Sequence, residues 1–200
     1  MIKDSYLTIK SPSEGLYKEK GSKFLAYAYP VTDEEKIKEI LQSLKKEYYD
    51  ARHHCYAFML GKDKNRYRAN DDGEPGNSAG VPILNQIRSK EVTDVLVVVV
   101  RYFGGTKLGV SGLINAYKTA AAEALDQAEI VEAFVTQHLT IRFEYMDMND
   151  VMRVAKEYDL DLSQQTFDEK CNINFEIREG ILDEVKGKLE KVPSLEFAEE

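Results

Sequence analysis

The stretch RYFGGTKLGVSG, residues 101–112, sets four glycines, a lysine and a serine between an aliphatic run and an alanine-rich one. A helix that begins near Ser111 leaves its first N–H groups unpaired. Gly104, Gly105 and Gly109 let the backbone approach a ligand without a Cβ in the way. Ser111 is placed to cap the helix by accepting from an N–H near Ile114, and Lys107 and Arg101 add positive charge. The chemistry these residues offer is anion binding, of a phosphate-containing ligand. The stretch does not match the phosphate-loop pattern G-x-x-x-x-G-K-[ST], because Val110 follows Gly109, nor does it give a clean G-x-G-x-x-G. The same residues also describe a tight strand-to-helix turn with no ligand, and both readings stand.

A second loop, NDDGEPGNSAGVP at residues 70–82, carries Asp71, Asp72 and Glu74. Three close carboxylates suit a magnesium-type ion or acid and base work. Neither a metal-ligand spacing nor a nucleophile and base pair is defined, so the preferred reading is structural: Asp72 pairs with Arg101, while Gly73, Pro75 and Gly76 turn the chain. Upstream, DARHHCYAF brings His53, His54 and Cys55 together in sequence, but neighbours on a strand point to opposite faces, which excludes a His54–Cys55 dyad. His54 is assigned to the cleft with the three carboxylates. The basic segment KDKNRYR, with Lys62, Lys64, Arg66 and Arg68 around Tyr67, offers an RNA contact with a stacking ring, against the preferred reading of a solvated hairpin tip. No catalytic residue, metal ligand or cofactor is assigned.

Patterning supplies the elements that must hold these loops. SKFLAYAYPV reads as a strand, and DEEKIKEILQSLKKEY as a helix with Ile37, Ile40, Leu41 and Leu44 on one face. HCYAFMLG and NRYRAN form a hairpin, and SAGVPILNQIRS a short helix with Pro82 in its first turn. DVLVVVVRYF is apolar on both faces, which suits a strand covered by helices on either side. The small residues Ala116, Ala120, Ala121, Ala124 and Ala128 allow the next helix to pack closely on that sheet. Beyond residue 130 the order is strand, helix, hairpin, helix, strand, the split βαββαβ arrangement of a ferredoxin-like fold. The expected division is 1–130 and 131–200, joined by a short linker over residues 129–134.

Charge divides at the same place. Residues 1–130 hold 19 Lys and Arg against 18 Asp and Glu; residues 131–200 hold 8 against 17. The acidic second part is repelled by a nucleic-acid backbone, which confines any phosphate-binding surface to the first. Hydrophobic residues at 43% and charged residues at 31% are ordinary globular values. The longest aliphatic run, Val95 to Val100, is far short of the roughly 20 residues that span a bilayer, so no membrane association is expected. Cys55 and Cys171 form no C-x-x-C pair, which argues against a disulfide framework and for a reducing cytoplasm.

DDGEPGNSAGVPIL followed by VVVVRYFGGTKLGVSGLINAY resembles the IMPACT (YigZ-type) family, and KGSKFLAYAYPV and ARHHCYAF are similar to its other blocks. Ser111 and Asn115 stand where that pattern usually has a glycine and an arginine. The resemblance implies an α+β protein of two domains. The first is like domain two of a small-subunit ribosomal protein, an α/β sandwich, and the second is ferredoxin-like, as in the last domain of elongation factor G. It also implies translation-associated or stress-response regulation without catalysis, as in eukaryotic members that bind the activator of a starvation-responsive kinase. RNA, the ribosome or a translation-related protein would be the partner, met through the cleft around Arg101 to Ser111. A metal-assisted hydrolase built on the DDGEP loop and a pure protein-interaction module are the alternatives.

Overall fold

The structure, a computed structural model, describes residues 4–167 and 170–198. The chain divides into two compact units: Tyr6–Ala133, and Phe134–Glu200 together with Met1–Ser5. The first holds a five-stranded sheet of β2 (Ser13–Glu19), β3 (Ser22–Pro30), β6 (Val95–Tyr102), β4 (His53–Leu60) and β5 (Arg66–Asn70), in that spatial order. All its neighbours run antiparallel. Strand β1 (Ser5–Ile9) pairs separately with β7 (Ile130–Phe134), so residues expected to form a linker are strand instead.

Strand alternation sorts β4 and β6 onto two cores. Cys55, Ala57, Met59, Val95, Val97 and Val99 pack under helices α2 (Gly80–Ser89) and α3 (Gly109–Asp126). Phe58, Leu60, Leu96, Val98 and Val100 face α1 (Glu34–Glu47), which contributes Ile37 and Leu44. The sheet is therefore covered on both faces, which explains why β6 is apolar on both sides from Val95 to Val100. Ala116, Ala120, Ala121 and Ala124 are fully buried, so α3 lies close to the strands. At Gly15 in β2 the approach is closest: a Cβ there would stand 2.5 Å from the backbone nitrogen of Ala124. Helix α1 starts as its sequence dictates, with the Asp33 carboxylate accepting from the Lys36 N–H at 2.8 Å and Glu34 and Glu35 in the first turn.

The second unit runs β8 (Thr136–Phe143), α4 (Met148–Glu157), β9 (Asp161–Phe167), β10 (Cys171–Arg178), α5 (Leu182–Leu189) and β11 (Glu196–Phe197). Its sheet order, β11-β8-β10-β9 with antiparallel pairing throughout, is that of the split βαββαβ fold. Leu139, Ile141 and Phe143 of β8 and Ile173, Phe175 and Ile177 of β10 point to α4 and α5, where Val151, Val185 and Leu189 complete the core. Asp4 belongs to this unit. Its backbone carbonyl accepts from the Val135 N–H, and its carboxylate accepts from Arg178 and from the Gly180 N–H. Among the described residues no helix is long and apolar enough to cross a membrane.

Candidate functional site

A cleft of about 810 Å³ opens in the first unit where the end of β6, the loop after it and the start of α3 meet the entry to β4 and the acidic loop. Arg101 lines it. The side chain is only 8% exposed, and Nη1 donates to Glu74 Oε1 at 2.6 Å; Glu74 is itself 4% exposed. Tyr117, fully buried on α3, donates to the same carboxylate oxygen at 2.7 Å. The guanidinium also lies 5.5 Å from the Phe24 ring centre and 5.8 Å from that of Phe103. Its Nε is buried with no acceptor among the described residues. A buried charge is tolerated when it is paired, and Glu74 supplies that pairing.

The Asp72–Arg101 pair expected from the sequence does not form. Asp72 Oδ2 accepts from the His54 backbone N–H at 2.7 Å, and Oδ1 lies 3.6 Å from Lys45 Nζ on α1. His54 is the register partner of Val100, a residue of the α1-facing core, whereas Arg101 lies opposite His53 on the other face. Glu74, two residues further along the loop, is the carboxylate that reaches Arg101. Asp71 serves the backbone: its oxygens accept from the N–H groups of Asn77, Ala79 and Gly80 at 2.8–3.0 Å, closing the start of α2 where no local side chain caps it. Each of the three acids is thus engaged by the protein. Among the described residues no cluster of His, Cys, Asp and Glu is arranged to hold a metal ion.

The same alternation corrects the histidine placement. His53, not His54, lines the cleft, with Nδ1 hydrogen-bonded to the Asp72 carbonyl oxygen at 2.8 Å. His54 is 5% exposed on the α1 side, and burial holds its imidazole below the ordinary histidine value. The register against Arg101 is the signal that selects His53, and it is readable only once β4 is paired with β6. Cys55 donates its thiol to the Asp71 carbonyl oxygen, and burial pushes its pKa far up; burial also raises that of Tyr117. Neither is an ionised nucleophile at neutral pH.

The glycine loop divides into turn and cleft. Gly104 packs so tightly on the turn before β3 that a Cβ would fall 1.9 Å from the Gly21 carbonyl carbon, and its N–H donates to Ser22 Oγ. Gly105 adopts φ +88°, a left-handed conformation that side chains resist. Neither Gly104, Gly105 nor Ser111 lines the cleft, whereas Arg101, Lys107 and Gly109 do. Helix α3 begins at Gly109, earlier than expected, so Ser111 lies within its first turn, and no side chain caps the helix start. Gly109 and Val110 present that start to the cleft. Arg52, Tyr102 and Phe103 also line it; they lie within the ARHHCYAF and RYFGG stretches but are not among the expected site residues. Tyr102 donates to Asp50 at 2.7 Å, which raises its pKa to about 12. The basic hairpin lies outside the cleft, and Arg88 covers the Tyr67 ring at 4.8 Å from its centre.

Residues 20–125, which include every residue lining this cleft, match the Impact N-terminal domain. The chain belongs to the IMPACT family. Similarity extends past the matched domain. IMPACT family member YvyE of Bacillus subtilis is 33% identical over 172 residues, covering 86% of this chain and 78% of that protein. IMPACT family member YigZ of Escherichia coli is 32% identical over 158 residues, 78% of each. A crystal structure of a hypothetical protein is similar along 100% of this chain and 99% of its own, at 28% identity and a TM-score of 0.76. Similarity to IMPACT-family members therefore extends beyond the matched domain, and the cleft lies wholly within the residues that match the Impact N-terminal domain.

Proposed function

We propose that this IMPACT-family protein is a non-catalytic, translation-associated binding protein of the cytoplasm whose cleft receives an anionic group of RNA. The observation that carries the reading is the uncapped start of α3, which opens on the same cleft as Lys107 and the buried Arg101. Unpaired helix N–H groups and the positive end of the helix dipole favour an anion there. Three cations, Arg52, Arg101 and Lys107, line the cleft against two carboxylates, Asp50 and Glu74. Family membership supports the link to translation. Binding without catalysis fits the same residues: the acidic loop commits its carboxylates to α2, β4 and Arg101, and the buried thiol stays protonated.

The test is RNA and ribosome binding at low salt, by fluorescence anisotropy and co-sedimentation. Lys107→Ala is expected to weaken association and to make the salt dependence shallower by roughly one unit of slope or less. A wild-type protein that binds neither RNA nor ribosomes, or a folded Lys107→Ala protein with unchanged affinity and slope, overturns this reading.

A further inference from the structure

We infer that the cleft is a site for one 5′-phosphorylated nucleotide, with the phosphate at the corner made by Lys107, the first turn of α3 and Arg101, and the base against Phe103. The inference rests on the proposed anion-binding role of the cleft and names its ligand. Four observations carry it. The volume, about 810 Å³, lies in the range of small-molecule sites, about 300–1,000 Å³; a surface that only tracks a strand of phosphates needs no such cavity. The phosphate corner has two independent components: the uncapped start of an 18-residue helix and a guanidinium more than nine-tenths buried, whose Nη1 is held by Glu74 and whose Nε has no acceptor among the described residues. Lys107 lines the same cleft, is exposed, and forms no ion pair among the described residues.

The fourth observation is Phe103. It lines the cleft yet leaves 58% of its surface exposed, next to the buried Arg101. A large exposed aromatic ring that lines an anion site is a stacking platform, and stacking accepts any base because each has a π-face. The phosphate and base subsites are then adjacent, as the two ends of one nucleotide require. The same chemistry is presented by a free mononucleotide and by the 5′ end of an RNA strand.

Calorimetric titration of the full chain with adenosine 5′-monophosphate, adenosine, and a hexa-adenylate RNA bearing either a 5′-phosphate or a 5′-hydroxyl tests this. Both phosphorylated probes are expected to bind at least about tenfold more tightly than their unphosphorylated counterparts. Lys107→Ala should remove most of that difference, whereas Phe103→Ala should weaken each monophosphate probe by about tenfold. Both side chains are exposed, so unchanged melting temperatures are expected and serve as the folding control. Binding of the monophosphate without the RNA sustains the inference with a free nucleotide as the source. Equal binding of the two RNAs, with no monophosphate bound, overturns the inference and leaves the RNA reading intact. Absence of binding by all four probes overturns the inference, and ribosome co-sedimentation then decides the broader reading.

Discussion

Arg101 at the end of β6 and Glu74 in the acidic loop are 27 residues apart in sequence and meet at 2.6 Å, each with its side chain less than a tenth exposed. Removing one partner leaves the other charge buried without its counterion. Glu74→Ala and Arg101→Ala are each expected to cost about 3 kcal/mol or more in urea unfolding. The double mutant should fall short of the sum by about 1–3 kcal/mol. Asp72→Ala combined with Arg101→Ala should show much less coupling, because Asp72 is engaged by His54 and Lys45 instead. Coupling as strong for Asp72 as for Glu74 would contradict the observed pairing.

Asp71 yields a second expectation. Its carboxylate serves three N–H groups at the start of α2, acting as a capping residue from a distance along the chain. Asp71→Ala should cost about 2 kcal/mol, the upper end of the capping range, since more than one donor is orphaned. Magnesium should leave the melting temperature of the wild-type protein unchanged. A clear magnesium-dependent rise would instead favour the metal-assisted hydrolase.

These two loops show what sequence can carry and what it cannot. The apolar run of β6, the stripe of α1 and the alanines of α3 are periodic, and periodicity alone places them between layers. The βαββαβ order of the second unit is legible for the same reason. The Arg101 partner is not, because choosing among Asp71, Asp72 and Glu74 needs the path of a loop in which Asp72 takes φ +40° and Gly73 φ +86°. Nor is His53 legible as the cleft residue until the β4–β6 register sets it opposite Arg101. Arg52 and Phe103 lie in the ARHHCYAF and RYFGG stretches, but no residue type or spacing marks either as a cleft residue until the fold brings them there.

Asp4 supplies a pH dependence. Its hydrogen bond with the Arg178 side chain, first among the causes, holds the carboxyl below its ordinary value. A depressed carboxylate stabilises the folded state above its unfolded pKa, about 3.9. That contribution is lost as pH falls through the lower, folded value. The second unit of the wild-type protein should therefore lose stability as pH drops below about 4. Asp4→Asn should be less stable at neutral pH and show a flatter acid limb. Superimposable acid unfolding curves for the two proteins would rule out this role.

The last prediction concerns the first residues of the chain. The chain passes between its units twice, at Ser5–Tyr6 and again at Ala133–Phe134, and Asp4 lies with the second unit. Each unit has its own buried core, and we propose that each unfolds in its own transition. Deleting residues 1–5 removes the Asp4 acceptor for Val135 N–H, the Arg178 ion pair and the hydrogen bond from Gly180 N–H. The transition of the Phe134–Glu200 unit should then move down in differential scanning calorimetry, while that of the Tyr6–Ala133 unit stays in place. A single transition that shifts as a whole would show that the two cores unfold as one. A second-unit transition that does not move would show that Asp4 contributes nothing to it.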